Sequence, residues 1–293
     1  HNGQVANFST PGAPILVSAP GLAISTTSSF SGYPAYTTIS GTSFSSPITS
    51  GVVALMLEAN PELGYRDVQE ILAYSARQTD ANSPGWDVNG AVNWNGGGLH
   101  VSHDYGYGLI DAYAAVRLAE TWELTSTQAN LATVSASSSP ELAILDYATI
   151  TDTIQISSGL QIDHVEVDLD LTHTWIGDLT VSLTSPDNTT SILVNRPGGE
   201  YNGVLYAVGG ASQDDINFTL SSTHNWGETG AGTWTLSVTD HGPLDQGVLD
   251  SWTLRLSGDA INTDDTYIYT DEFGAFTGAG DAARRLLSDS EGS

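Results

Sequence analysis

The chain has 293 residues, with 7 Lys and Arg against 34 Asp and Glu, a formal net charge of -27 and no cysteine. This charge excludes nucleic acid as a natural partner, because a polyanion would be repelled, and without cysteine an extracellular chain must be stabilised by its core or by bound calcium. No apolar run approaches the ~20 residues of a membrane span, the length points to two domains, and the acidity suits either solubility after export or cationic substrates and divalent cations.

The first strong element is a helix. Ile48, Val52, Leu55, Met56 and Ala59 recur at helical spacing and stop before Pro61, which predicts a buried helix entered through Gly41-Thr42-Ser43-Phe44-Ser45-Ser46-Pro47. A serine hydroxyl is a weak nucleophile and needs a base and oxyanion donors. A helix N-terminus supplies free N–H groups and a partial positive charge. Ser43 is therefore a candidate nucleophile, with Gly41 and Thr42 as support for the oxyanion end. The alternative is that Thr42 and Ser43 merely cap the helix. Because residue 45 is Ser, a G-x-S-x-G elbow is disfavoured.

Further on, His100-Val101-Ser102-His103 reads as a loop of satisfied polar side chains rather than a metal pair or, with Asp104, a rearranged triad. Asp111 is placed to cap a helix whose Ala115, Val116 and Ala119 share a face. After Trp122 the composition shifts, and residues 123–140, with the run Ser135-Ala136-Ser137-Ser138-Ser139-Pro140, read as a linker. The period then becomes two. Val165, Val167, Leu169 and Leu171 alternate with acidic residues, and Leu179, Val181 and Leu183 with hydroxyls, which predicts an antiparallel β-sandwich. Trp226, Trp234 and Trp252 read as core residues. Asp178, Asp214, Asp215, Asp240 and Asp245 fall at strand ends, where they are either solvated turn carboxylates or ligands of a calcium ion. Residues 259–293 form an acidic, Gly-, Ala- and Ser-rich tail.

The Gly41–Pro47 stretch resembles the G-T-S-x-S-x-P signature of subtilisin-like serine proteases. The likeness extends from Val5-Ala6-Asn7-Phe8-Ser9, the family's strand, through Ser18-Ala19-Pro20-Gly21 to about Trp122. Tyr65-Arg66-Asp67-Val68-Gln69-Glu70-Ile71-Leu72 and His103-Asp104-Tyr105-Gly106-Tyr107-Gly108 resemble the kexin and furin branch. His173-Thr174-Trp175-Ile176-Gly177-Asp178 and Gly247-Val248-Leu249-Asp250-Ser251-Trp252 resemble that branch's P (Homo B) domain. The resemblance implies the C-terminal part of an α/β subtilisin-like catalytic domain over 1–122, and a jelly-roll sandwich over 141–258 that packs on it and supports its folding. It implies a secreted endopeptidase that cuts protein or peptide substrates, possibly after basic residues, through an acyl-enzyme on Ser43, with structural calcium. The tail looks like the lead-in, Asp264 to Phe273, to calcium-binding repeats of exported bacterial proteins.

The chain departs from the family upstream of Ser43. His1 is the sole histidine there, no Asp precedes Asp67, and Asn2 and Asn7 are badly placed for the oxyanion donor. The expectation is a fragment, inactive alone, whose partner is the missing N-terminal part of its own catalytic domain. The competing reading is a non-catalytic calcium-binding or adhesive module.

Overall fold

The computed structural model describes residues 3–28, 35–91, 98–201, 204–205, 210–261 and 268. His1, Asn2 and, apart from Ile268, the Asp264–Phe273 segment lie outside them. The first part begins with a two-stranded antiparallel ladder, β1 (Ile24–Thr27) and β2 (Tyr36–Ile39), followed by the helix α1 (Thr42–Ala59). α1 stops where expected. Asn60 turns extended, its N–H still reaching the Met56 carbonyl at 2.9 Å, and its Nδ2 donates to the carbonyls of Ala119 and Trp122 at 3.0 Å each. Helix α2 (Tyr65–Ser75) starts with the Asp67 carboxylate accepting from the Gly64 N–H at 2.7 Å. The short strands β3 (Asp87–Val88) and β4 (His100–Val101) pair, and α3 (Ala112–Thr121) follows, capped as expected by Asp111 Oδ1 on the Ala114 N–H at 3.0 Å. Val52, Met56, Ile71, Leu72, Ala115 and Ala119 form the core between the three helices.

Two expectations fail in this part. Val5–Ser9 is a turn rather than a strand: the Ser9 N–H bonds back to the Ala6 carbonyl at 2.9 Å, and the Val5 N–H is taken by the Tyr105 hydroxyl at 2.8 Å. α1 is not a buried helix, for only Val52 and Met56 are buried while Leu55 is 48% and Leu57 41% exposed. α2, α3 and the segment around Leu16 and Val17 cover one side of it, and no described residue covers the other.

The second part is a sandwich. Its strands are β5 (Ala132–Ser138), β6 (Leu142–Ile144), β7 (Thr149–Ile156), β8 (Gln161–His173), β9 (Leu179–Thr184), β10 (Thr190–Asn195), β11 (Glu200–Tyr201), β12 (Val204–Leu205), β13 (Ile216–Ser222), β14 (Gly232–Asp240) and β15 (Gly247–Asp259). One sheet runs β10-β9-β14-β7 and the other β13-β8-β15-β5, with β6 also on β15; all these neighbours are antiparallel. Strict alternation points Val165, Val167, Leu169 and Leu171 of β8 and Leu179, Val181 and Leu183 of β9 inward, against Trp234, Trp252, Leu254 and Leu256. Outside, Thr and Ser side chains stand in cross-strand register, as in the Thr149–Thr239 pair at 2.9 Å and the Thr184–Thr190 pair at 3.0 Å.

The linker expected over 123–140 is corrected by β5. Ala132, Val134 and Ala136 pack on the core, and Ser137 hydrogen-bonds to Thr253 at 2.8 Å, so residues 132–138 complete the five-stranded sheet. Small side chains hid the alternation, and pairing along β15 decides the conformation despite weak propensity. Trp226 is also reassigned. It is buried, but among Ala73, Tyr74, Leu99 and Tyr107 at the junction of the two parts rather than in the sandwich core.

Candidate active site

Ser43 is the second residue of α1 and is exposed. As first-turn residues, Thr42 and Ser43 have no carbonyl four residues back within the helix, so their N–H groups are open to a ligand. The capping alternative is not what the structure shows. The N-cap is Gly41, and no side chain caps this end. Gly41 adopts φ 154° and ψ 153°, a conformation that favours glycine. Its N–H donates to the Gly21 carbonyl at 2.8 Å. Gly21 must be glycine for a different reason: a Cβ there would lie 2.6 Å from Ser45 Oγ and 3.0 Å from the Gly41 carbonyl oxygen. The Ser18–Gly21 segment thus presses directly on the start of α1. Pro47 lacks the N–H that would otherwise bond to the Ser43 carbonyl, and Thr49 and Ser50 answer by bonding back to the carbonyls of Ser45 and Ser46 at 3.3 and 3.1 Å. Beside the helix start lies a cavity of about 500 Å3, lined in part by Phe8, Pro20, Thr42, Ser45 and Tyr105.

The histidines of the His100–His103 stretch are at the junction. His103 Nε2 accepts the Ile192 N–H at 2.8 Å, and its ring meets His224 edge-on with centroids 4.3 Å apart. Burial lowers the pKa of His103 and, reinforced by His103, drives that of His224 down to about 3, so both imidazoles are neutral near pH 7. His100 is buried with its ring edge-on to Trp86. Asp104 shares the cavity wall with Thr42, while His103 faces away into the sandwich, so the two do not form a dyad aimed at Ser43.

Four of the five candidate metal-ligating aspartates are held by other groups. Asp178 contacts Arg196 at 3.7 Å, and burial together with nearby Asp240 raises its pKa. Asp240 faces His173 at 3.4 Å and accepts the Gly242 N–H at 2.8 Å. Asp215 accepts the His173 N–H at 3.0 Å, and Asp245 accepts the Thr174 hydroxyl at 2.7 Å. Asp214 lines a separate surface depression with Asp215 and Gln246. Among the described residues no three His, Asp or Glu side chains are grouped to hold a metal ion. These aspartates do not fit a calcium site.

Residues 1–108 match the model of the subtilase family, and residues 162–256 match that of the proprotein convertase P-domain. The chain belongs to the subtilase family. This subtilase is 35% identical over 226 residues to human proprotein convertase subtilisin/kexin type 4, an alignment that covers 75% of this chain and 28% of the relative. It is 34% identical over 232 residues to rat proprotein convertase subtilisin/kexin type 6, covering 75% and 23%. The serine protease of Aeromonas sobria superposes with a TM-score of 0.63 at 26% identity, over 76% of this chain and 45% of that one. In complex with its chaperone, the same protease gives 0.65 over 78% and 45%. This subtilase therefore spans about a quarter of the curated relatives and under half of the solved protease. Its fold is the C-terminal portion of an α/β subtilisin-like domain followed by the all-β P-domain sandwich.

The sequence reading missed the polar contacts that join the two parts. Arg66, quoted above only as part of a motif, makes the central one. Its signal was scarcity: it is among only 7 cations, and it sits on the helix that carries Ile71 and Leu72 into the core.

Proposed function

We propose that this chain carries the nucleophile of a serine endopeptidase: Ser43 attacks the scissile carbonyl, and the first-turn amides of α1 stabilise the oxyanion. The observation that carries this reading is the exposed, uncapped start of α1 at Gly41-Thr42-Ser43 in a member of the subtilase family. The histidine base, its orienting aspartate and the asparagine donor come from polypeptide outside this chain. The exposed Leu55 and Leu57, on the two flanks of α1, suit that partner. Substrates are proteins or peptides. With 34 acidic residues against 7 basic ones, cleavage after basic residues has an electrostatic rationale. The setting is extracellular; among the described residues no helix is long and apolar enough to cross a membrane. Any structural calcium belongs to residues other than the five aspartates.

The deciding experiment is fluorophosphonate labelling of the polypeptide that carries the complete subtilase domain. Modification at Ser43, abolished in Ser43→Ala, is the expected result. A folded parent that leaves Ser43 unmodified overturns the reading and leaves the non-catalytic binding module in its place.

A further inference from the structure

Arg66 on α2 is only 2% exposed, and it is the cation on which the two parts meet. Its Nε donates to Asp163 Oδ2 of β8 at 2.7 Å, and its Nη2 lies 2.7 Å from that oxygen and 2.8 Å from Asp259 Oδ2 at the end of β15. Nη1 reaches the Thr127 carbonyl and Asn130 Oδ1, each at 3.4 Å. The neighbouring Asp67 accepts three hydrogen bonds, from the N–H groups of Gly64 and Ser126 and from Trp122 Nε1. One turn further along α2 stands Glu70, buried, with Tyr74 hydrogen-bonded to its carboxyl.

The Arg66 guanidinium therefore holds two carboxyl groups, Asp163 and Asp259, and two more on α2, Asp67 and Glu70, stand near Asp163. Three have dedicated donors that stabilise an anion. Glu70 has only the Tyr74 phenol, and a further buried negative charge beside Asp163 is costly. We propose that Glu70 is a proton-operated latch: its neutral carboxyl lets α2 stay docked on β8 and β15 through Arg66, and its ionisation releases the sandwich from the helical layer.

Burial first, and then Asp163, push the Glu70 carboxyl up to about 8. Asp163, where burial outweighs the attraction of Arg66, rises to about 6. The docked state thus holds protons that the open state gives up. The contribution of Glu70 to docking is fully present below its unfolded value and is lost as pH rises through about 8. The other titratable groups at the junction do not act in the upper part of this range. Burial holds Tyr74 and Tyr107 well above their usual range, and His103 and His224 have lowered values. Between about pH 7 and 8, Glu70 contributes most of the slope. The latch is independent of the peptidase reading.

Hydrogen exchange on the full chain tests it. The Arg66 amide bonds to the Ser126 carbonyl at 3.2 Å and the Ser126 amide to Asp67 at 2.8 Å, so both report on the junction. Their protection factors should fall about fivefold between about pH 7 and 8, while the amides shared by β7 and β14 stay unchanged. In Glu70→Gln, which keeps the neutral shape, the fall should vanish. A flat profile in the native chain overturns the latch whether or not the variant folds, as does an undiminished fall in Glu70→Gln.

Discussion

The Tyr107 hydroxyl donates a 2.6 Å hydrogen bond to the Thr223 carbonyl and accepts the Trp226 N–H at 3.2 Å, so one phenol spans the helical part and the sandwich. Tyr107 is fully buried. Tyr107→Phe removes both bonds and leaves the Trp226 N–H with only its longer 3.3 Å bond to the Thr223 carbonyl, at a cost of about 0.5–1.5 kcal/mol for each bond lost. Urea unfolding of the variant should show a lower midpoint with an unchanged slope.

The contact between Gly21 and the start of α1 fixes where Ser43 points. Gly21→Ala puts a methyl 2.6 Å from Ser45 Oγ and 3.0 Å from the Gly41 carbonyl, so the Ser45 hydroxyl has to turn away and the Gly41 backbone has to give by a few tenths of an ångström. A displacement near 1 Å at the reacting atom costs on the order of 10²-fold in rate. Fluorophosphonate labelling of Ser43 in the complete domain should slow by less than that factor, with the far-ultraviolet spectrum unchanged.

His224 gives the junction an acid limit. Burial and His103 hold its folded-state pKa at about 3, below the unfolded value of 6.5. The unfolded chain therefore binds the extra proton between those values, and stability rises with pH from about 3 to 6.5. Replacing His224 with Gln, which cannot titrate, should flatten this limb of a thermal-stability profile. An unchanged limb would show that His224 does not titrate on unfolding.

Asp67 supports three donors at once. In Asp67→Ala the Gly64 and Ser126 amides and the Trp122 indole lose a charged acceptor, each hydrogen bond contributing roughly 1.5–3 kcal/mol. The loss should far exceed that of Tyr107→Phe in the same denaturant assay.

Asp178, Asp215, Asp240 and Asp245 bond to other groups, and with Asp214 they form no metal-holding cluster among the described residues, so any effect of calcium on the melting temperature should survive Asp214→Asn and Asp245→Asn. Loss of the calcium response in either variant would return these residues to a metal site.

The parts of the fold that were legible in the sequence are those where local pattern and tertiary burial agree. β8 and β9 alternate cleanly because one face of each meets the core, α3 shows its cap and its small-residue face, and Gly41-Thr42-Ser43 marks the helix start. Where tertiary pairing decides, the pattern was silent. β5 owes its conformation to β15, more than a hundred positions away, and Val5–Ser9 closes on itself for want of a neighbouring strand. The five aspartates share residue type and position at strand ends, which suggested a common ion, but in space they are not gathered into one metal-holding group among the described residues. Arg66, Asp163 and Asp259 show the converse: nothing in their local surroundings marks them as a group, and only the packing of α2 on the sandwich brings them together.

The Arg66–Asp259 contact also constrains the order in which the molecule can be completed. Asp259 is the final residue of β15, the strand that lies between β8 and β5 in the five-stranded sheet. On the ribosome, α2 emerges with a cation whose first counter-charge, Asp163, comes 97 residues later and whose second, Asp259, comes almost two hundred residues later. The helical layer bearing Ser43 must therefore wait, with its docking surface unfinished, until the last sandwich strand has been made.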